Sequence, residues 1–212
     1  MAERGDDGPD GDAGGAGATW RPGRRTLIAG AAALAALPAV AARHPKPPKA
    51  PPPPKTANIR WPGPGHDLHG YMAIPAKAHG PQPAVLVVHD AGGADPFTRG
   101  LCDQLAAAGF VACAPIRLAS LEEAVATVHW LASNAYATGK VAGLGLGWGA
   151  SLLERVAASP QPQLTAMVTF SADRIADLPV PALHLQAVAQ LQGEAYAQAW
   201  QQTLVFLKDH LA

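Results

Sequence analysis

Three features of this sequence predict an α/β fold of three layers, a mainly parallel sheet with helices on both faces. Short uninterrupted apolar runs recur between Gly and Pro breakers, as expected of strands buried on both sides. Segments of helical spacing separate these runs, and their alternation is the mark of crossover units. The third feature is Lys140-Val141-Ala142-Gly143-Leu144-Gly145-Leu146-Gly147-Trp148-Gly149-Ala150-Ser151. There an apolar run enters a Gly-x-x-x-Gly turn, and a helix-compatible segment follows at residues 150–159. Strand, sharp turn and helix, with small residues on either side of a central position, is the plan of a nucleophile elbow. Gly145 and Gly149 would let strand and helix nearly touch. The central residue is Gly147, which has no side chain.

The chain ahead of this domain differs in composition. Residues 1–20 are rich in Gly, Asp and Ala, cannot bury a core and are expected to be disordered. Arg24-Arg25-Thr26-Leu27-Ile28 then opens a mildly apolar, Ala-rich stretch that ends Ala39-Val40-Ala41. A twin-arginine pair, a weakly hydrophobic segment and an A-x-A site together read as a Tat-type export signal. A retained membrane anchor is the competing reading. Leu27 to Ala42 is 16 residues; as a helix it would span roughly 24 Å against a hydrocarbon core of roughly 30 Å, which favours the cleaved signal. The expected location is periplasmic, or membrane-tethered through an uncleaved signal. Residues 43–57 are Pro-rich and suit a stiff polyproline II spacer better than an SH3-type ligand. Residues 58–212 are left for one globular domain. The 16 basic and 16 acidic residues balance, and without residues 1–42 they number twelve against eleven. No basic field exists to attract nucleic acid.

Within the domain a short strand is expected at residues 71–74, after a Gly/Pro-rich turn at 62–65. Residues 83–89 and 110–115 read as buried strands, separated by a helix at 96–109 with Leu101, Leu105 and Ala108 on one face. A helix at 121–134 has Ala124, Val128 and Leu131 inward, Ser120 as cap and Glu123 at capping-box distance. Strands at 141–145, 164–170 and 181–188 follow, with helices at 150–159 and 194–211.

Several of these pieces resemble the dienelactone hydrolase family of the α/β-hydrolase fold, particularly its Tat-exported branch. They are Gly70-Tyr71-Met72-Ala73-Ile74-Pro75, the run from Pro83 to Asp90, Leu105-Ala106-Ala107-Ala108-Gly109-Phe110-Val111-Ala112, Thr138-Gly139-Lys140-Val141 and Ala199-Trp200-Gln201-Gln202-Thr203-Leu204. Residues 145–150 are similar to the family's Gly-x-Cys-Trp-Gly-Gly elbow. The resemblance implies a three-layer hydrolase fold and acyl transfer by a Cys–His–Asp triad, in which a base takes the thiol proton and a carboxylate orients the base. This chain departs from that pattern. Gly147 stands at the nucleophile position. No Asp or Glu lies between Asp177 and Glu194, where the acid would be. The last helix begins only ten positions after His184, too close for an acid loop, a helix, an eighth strand and a histidine loop. The fold is therefore expected to be truncated after its seventh strand, and the domain to be a degenerate member. A vestigial pocket remains, with His89 and Asp90 where the family has His-Glu, followed by Ala91. Backbone amides near Asp90 and Ala91 and at Trp148 could form an oxyanion hole for a small carbonyl or carboxylate ligand.

Other residues carry weaker chemical readings. Ser151 and Ser171 are the candidates for a relocated nucleophile, with His89 or His184 as base; helix-surface and loop-cap roles compete with them. Cys102 and Cys113 read as small core residues, although a disulfide is open to them in an oxidising compartment. His66 and His69 resemble metal-ligand spacing, but no cluster completes a site, and neither metal nor cofactor is expected. His129 reads as a half-buried structural histidine. The leading expectation is a non-catalytic binding or accessory subunit, and the alternative is an active ester or lactone hydrolase. The Pro181 to Val188 strand would be a sheet edge without guarding lysines, open to a second copy or a foreign strand. The competing reading has residues 191–196 folding over that edge.

Overall fold

The computed structural model describes residues 52–89, 93–160, 164–171, 177–187 and 193–212. Its seven strands form one sheet in the order β1-β2-β4-β3-β5-β6-β7. The strands are β1 (Lys55–Pro62), β2 (Asp67–Ile74), β3 (Gln82–Val88), β4 (Val111–Pro115), β5 (Ala137–Leu146), β6 (Leu164–Phe170) and β7 (Ala182–Leu185). Pairing is antiparallel for β1 with β2 and β2 with β4, and parallel from β4 through β7. Helices α1 (Pro96–Ala107), α2 (Leu121–Ala132), α3 (Trp148–Ala157) and α4 (Gly193–Leu211) complete three layers. This is the α/β-hydrolase fold.

Period-two alternation along the strands divides the apolar residues between the two faces. Leu86, Val88, Cys113, Val141 and Met167 pack with Val128 and Leu131 of α2 and Leu152, Leu153 and Val156 of α3. Val85, Val87, Ala112, Leu144, Val168 and Phe170 pack with Leu101 and Leu105 of α1 and Leu207 and Leu211 of α4. The helix starts are set by local chemistry. Asp95 accepts from the Thr98 amide at 2.8 Å with Pro96 in the first turn of α1, and that bond holds the Asp95 carboxyl below its ordinary range. Ser120 accepts from the Glu123 amide at 3.2 Å, while the Glu123 carboxylate reaches back to the Ala119 amide at 2.6 Å, one residue before the cap. His66 Nε2 approaches the other Glu123 oxygen at 3.5 Å, so His66 joins the β1–β2 turn to α2.

Three expectations change. The spacer predicted to reach residue 57 ends earlier, because Lys55, Thr56 and Ala57 pair with Ile74, Ala73 and Met72. The strand expected at 71–74 accordingly begins at Asp67 as half of a hairpin. The hairpin is held to α2 by Trp61, whose indole N–H donates to Thr127 at 3.2 Å and whose rings stack on Trp130 at 4.8 Å. It is held to α1 by Tyr71, which donates to Asp103 at 2.7 Å under the Arg99 guanidinium. The strand predicted from Pro181 to Val188 is only four residues long and is not buried: Ala182 and His184 are exposed, Leu183 and Leu185 half-buried. Val188 lies outside the described residues, as do residues 1–51 with the leader and most of the spacer. Finally, Cys102 and Cys113 are free and belong to opposite faces of the sheet, so they do not form the disulfide that remained open.

Burial pushes the Cys102 thiol up to about 12 and the Cys113 thiol well above its usual range. A raised folded-state pKa contributes stability in full below the unfolded thiol pKa, about 8.5, and loses it as pH rises above that value. Ellman's reagent at pH 8 is therefore expected to find no reactive thiol in the native protein and two in denaturant. The urea midpoint should fall as pH is raised from 8 to 10, and the loss should shrink when both cysteines are replaced by Ala or Val. A rapidly titrating native thiol would contradict the burial described.

Candidate functional site

The site is built where β5 gives way to α3. Gly147 has φ 51° and ψ −118°, a combination that strains any side-chain-bearing residue and that glycine adopts freely. Its N–H donates to the Phe170 carbonyl of β6 at 3.0 Å, and its own carbonyl accepts from Ala150 at 3.1 Å, starting the helix. The flanking glycines are required by contact. A Cβ on Gly149 would lie 2.2 Å from the Val88 carbonyl oxygen and 2.8 Å from that of His89; one on Gly145 would lie 2.5 Å from Ala150 Cα. The turn is thus wedged among β3, β5, β6 and α3, and its apex is aimed off the carboxyl ends of the parallel strands. α3 has no side-chain cap, and it opens on Trp148, which is 48% exposed.

The other predicted residues distribute around this turn. His89 follows β3 and is buried; its Nε2–H donates to the Pro115 carbonyl at the end of β4, at 2.8 Å. In the sheet order β4-β3-β5-β6, that bond ties the end of β3 to its neighbour β4. Ser171 follows Phe170 directly, so its backbone adjoins Gly147; its N–H donates to the Leu185 carbonyl at 3.2 Å, and the residue is 9% exposed. Ser151 lies on the exposed face of α3, and no hydrogen bond joins it to a histidine among the described residues. His184 is exposed on β7 with Nδ1 3.0 Å from the hydroxyl of Thr169, a fully buried residue. Ser171 and His184 therefore both tie β6 to β7, a role the sequence does not disclose because it depends on strand register. Asp90 and Ala91 lie outside the described residues.

His66 and His69 do not converge on a metal: His66 meets Glu123, His69 stands opposite Arg60 in the hairpin, and no group of three metal-binding side chains occurs among the described residues. His129 is half-buried on α2, as expected.

A mainly parallel sheet with a glycine-walled turn between β5 and α3 is the arrangement of the α/β-hydrolase fold. Comparison with known proteins agrees. A model of the dienelactone hydrolase family matches residues 68–119, and a model of X-Pro dipeptidyl-peptidase (S15 family) matches residues 101–203. YghX of Escherichia coli (strain K12), whose name calls it a hydrolase fragment, is 42% identical over 65 residues. That region is 30% of this chain and 56% of YghX, so the match spans little more than half of that relative. A dienelactone hydrolase-like promiscuous phosphotriesterase from metagenomic libraries superposes with a TM-score of 0.61 at 18% identity, over 76% of this chain and 100% of that one. A dienelactone hydrolase from Anabaena variabilis ATCC 29413 gives 0.59 at 15% identity, over 75% and 99%. At such identities the solved structures speak for the fold alone. With the family model and YghX beside them, the comparisons support a dienelactone hydrolase-family α/β-hydrolase fold for this chain.

The turn makes a stability prediction. Gly147→Ala should destabilise by about 1–3 kcal/mol, the cost of holding a side-chain-bearing residue in this backbone. Gly149→Ala should cost at least as much, because its Cβ meets rigid carbonyl groups of β3. Urea unfolding checks both, and a neutral Gly147→Ala would mean that the apex is not constrained.

Proposed function

We propose that this is a non-catalytic member of the dienelactone hydrolase family, a binding or accessory module that keeps the hydrolase scaffold without its acyl-transfer chemistry. The observation that carries the reading is glycine at the apex of the turn. The backbone that would present a nucleophile is formed there, and no atom is presented. The surroundings support it. His89 is engaged with β4, and His184 is engaged with Thr169. Residues 186–192 are the whole of the chain between β7 and α4, with no acid or histidine among them.

What remains suits recognition. Backbone donors at the start of α3 favour a partial negative charge, and a carbonyl or carboxylate group is the ligand chemistry that this end of a helix attracts. Such a hole holds a ligand but activates no attacking group. The twin-arginine segment from Arg24 supports placing this module outside the cytoplasm; Arg24→Lys with Arg25→Lys should then retain it inside, and unchanged export would count against that placement.

An active hydrolase using a relocated serine is the alternative, and Ser171 favours it by its place beside the turn. The two readings separate on turnover. Under the proposal, hydrolysis of p-nitrophenyl acetate stays at the level of a heat-denatured control. Gly147→Cys alone also remains inactive, because His89 and His184 are engaged with Pro115 and Thr169. Turnover well above the control that is lost on Ser171→Ala would overturn the proposal in favour of the alternative.

A further inference from the structure

We propose that β7 pairs antiparallel with β7 of a second copy, joining the two sheets across a two-fold axis. This interaction is independent of whether the domain hydrolyses esters. Among the described residues β7 pairs on one side only, with β6. The Met167 amide donates to the Pro181 carbonyl at 2.9 Å, and the Ser171 amide donates to the Leu185 carbonyl at 3.2 Å. Because backbone groups alternate along a strand, Pro181, Leu183 and Leu185 direct theirs toward β6. Ala182 and His184 direct their N–H and C=O groups outward. The proline sits at an inward position, so it removes no outward donor.

This pattern is self-complementary. With the two-fold axis at Leu183, Ala182 of one copy faces His184 of the other, and the reverse. Each is a hydrogen-bonded pair exchanging two bonds. Leu183 then opposes its own counterpart in the closely spaced, non-hydrogen-bonded position. Leu183 and Leu185 are half-buried members of the core that α4 covers, beside Trp200 and Leu204, and the second copy would extend that core across the junction. Residues 178–187 contain no Asp, Glu, Lys or Arg, the charges that ordinarily protect an edge. The whole chain has a formal charge of zero, so two copies meet without net repulsion. A foreign strand would find only the same two outward residues, whereas a second copy matches their number and spacing by symmetry.

The test uses the full 212-residue chain in sedimentation velocity and light scattering over a range of concentrations. The expected mass is twice the 21.7 kDa of one chain. His184→Pro, which deletes an outward donor, should weaken the dimer roughly tenfold or more. Leu183→Cys keeps the test decisive if the proline variant fails to fold. Its two sulfurs would meet across the axis with Cα atoms about 4.5 Å apart, within disulfide reach. Mild oxidation should then link Leu183→Cys into a covalent dimer, while Val205→Cys, exposed on α4, stays unlinked. A monomer at all concentrations overturns the proposal. So does a dimer that a folded His184→Pro variant leaves intact, since the contact would then lie elsewhere. If that variant does not fold, a dimer whose Leu183→Cys protein fails to cross-link overturns it equally.

Discussion

Between Leu144 and Ala150 the chain passes from strand to helix with its backbone pressed on the end of β3, and most of the domain depends on that close crossing. Two glycines permit it by omitting Cβ atoms that would strike the Val88 carbonyl and the Ala150 backbone. The third stands at the apex, in a conformation that costs other residues about 1–3 kcal/mol. Once α3 is drawn onto the sheet, Leu152, Leu153 and Val156 reach the layer containing Val88, Val141 and Met167. The amide of Gly147 is tied to Phe170, so β6 is held in register with the turn that precedes α3. Catalysis and stability make opposite demands on the apex. A nucleophile must accept the strain, whereas a domain released from chemistry keeps the crossing at lower cost with glycine.

The parts legible in the sequence are those governed by local rules. β3, β4, β6 and the Val141 to Leu146 part of β5 are largely buried apolar runs between breakers, and the helix caps at Asp95 and Ser120 involve neighbours within three residues. The elbow is legible for the same reason, since its sterics are written in five consecutive residues. β1 is not, because Lys55 to Asn58 are exposed and merge in composition with the prolines before them; only its pairing with β2 makes it a strand. β7 misleads in the other direction. Its residues read as buried, yet burial requires a neighbour on each side, and the described sheet supplies one.

The candidate site divides along the same line. Gly147 could be placed from sequence because the turn places itself. The bond of His89 to the Pro115 carbonyl could not, because it follows from β4 lying beside β3 in the sheet. Thr169 bonded to His184 has no local signature either; the two meet through register across fifteen positions. The fold is thus carried by the residues that shape the crossing, whereas function on such a fold depends on a few side chains placed upon it.

The central claim is that the hydrolase turn is intact and presents no reacting atom. Treatment of the native protein with a fluorophosphonate, followed by intact-mass measurement, tests it most directly, since the reagent captures any serine activated by a base. The account predicts an unmodified mass after prolonged exposure, with an active serine hydrolase labelled in parallel. A stoichiometric adduct mapped to Ser151 or Ser171, lost when the protein is first unfolded, would contradict it.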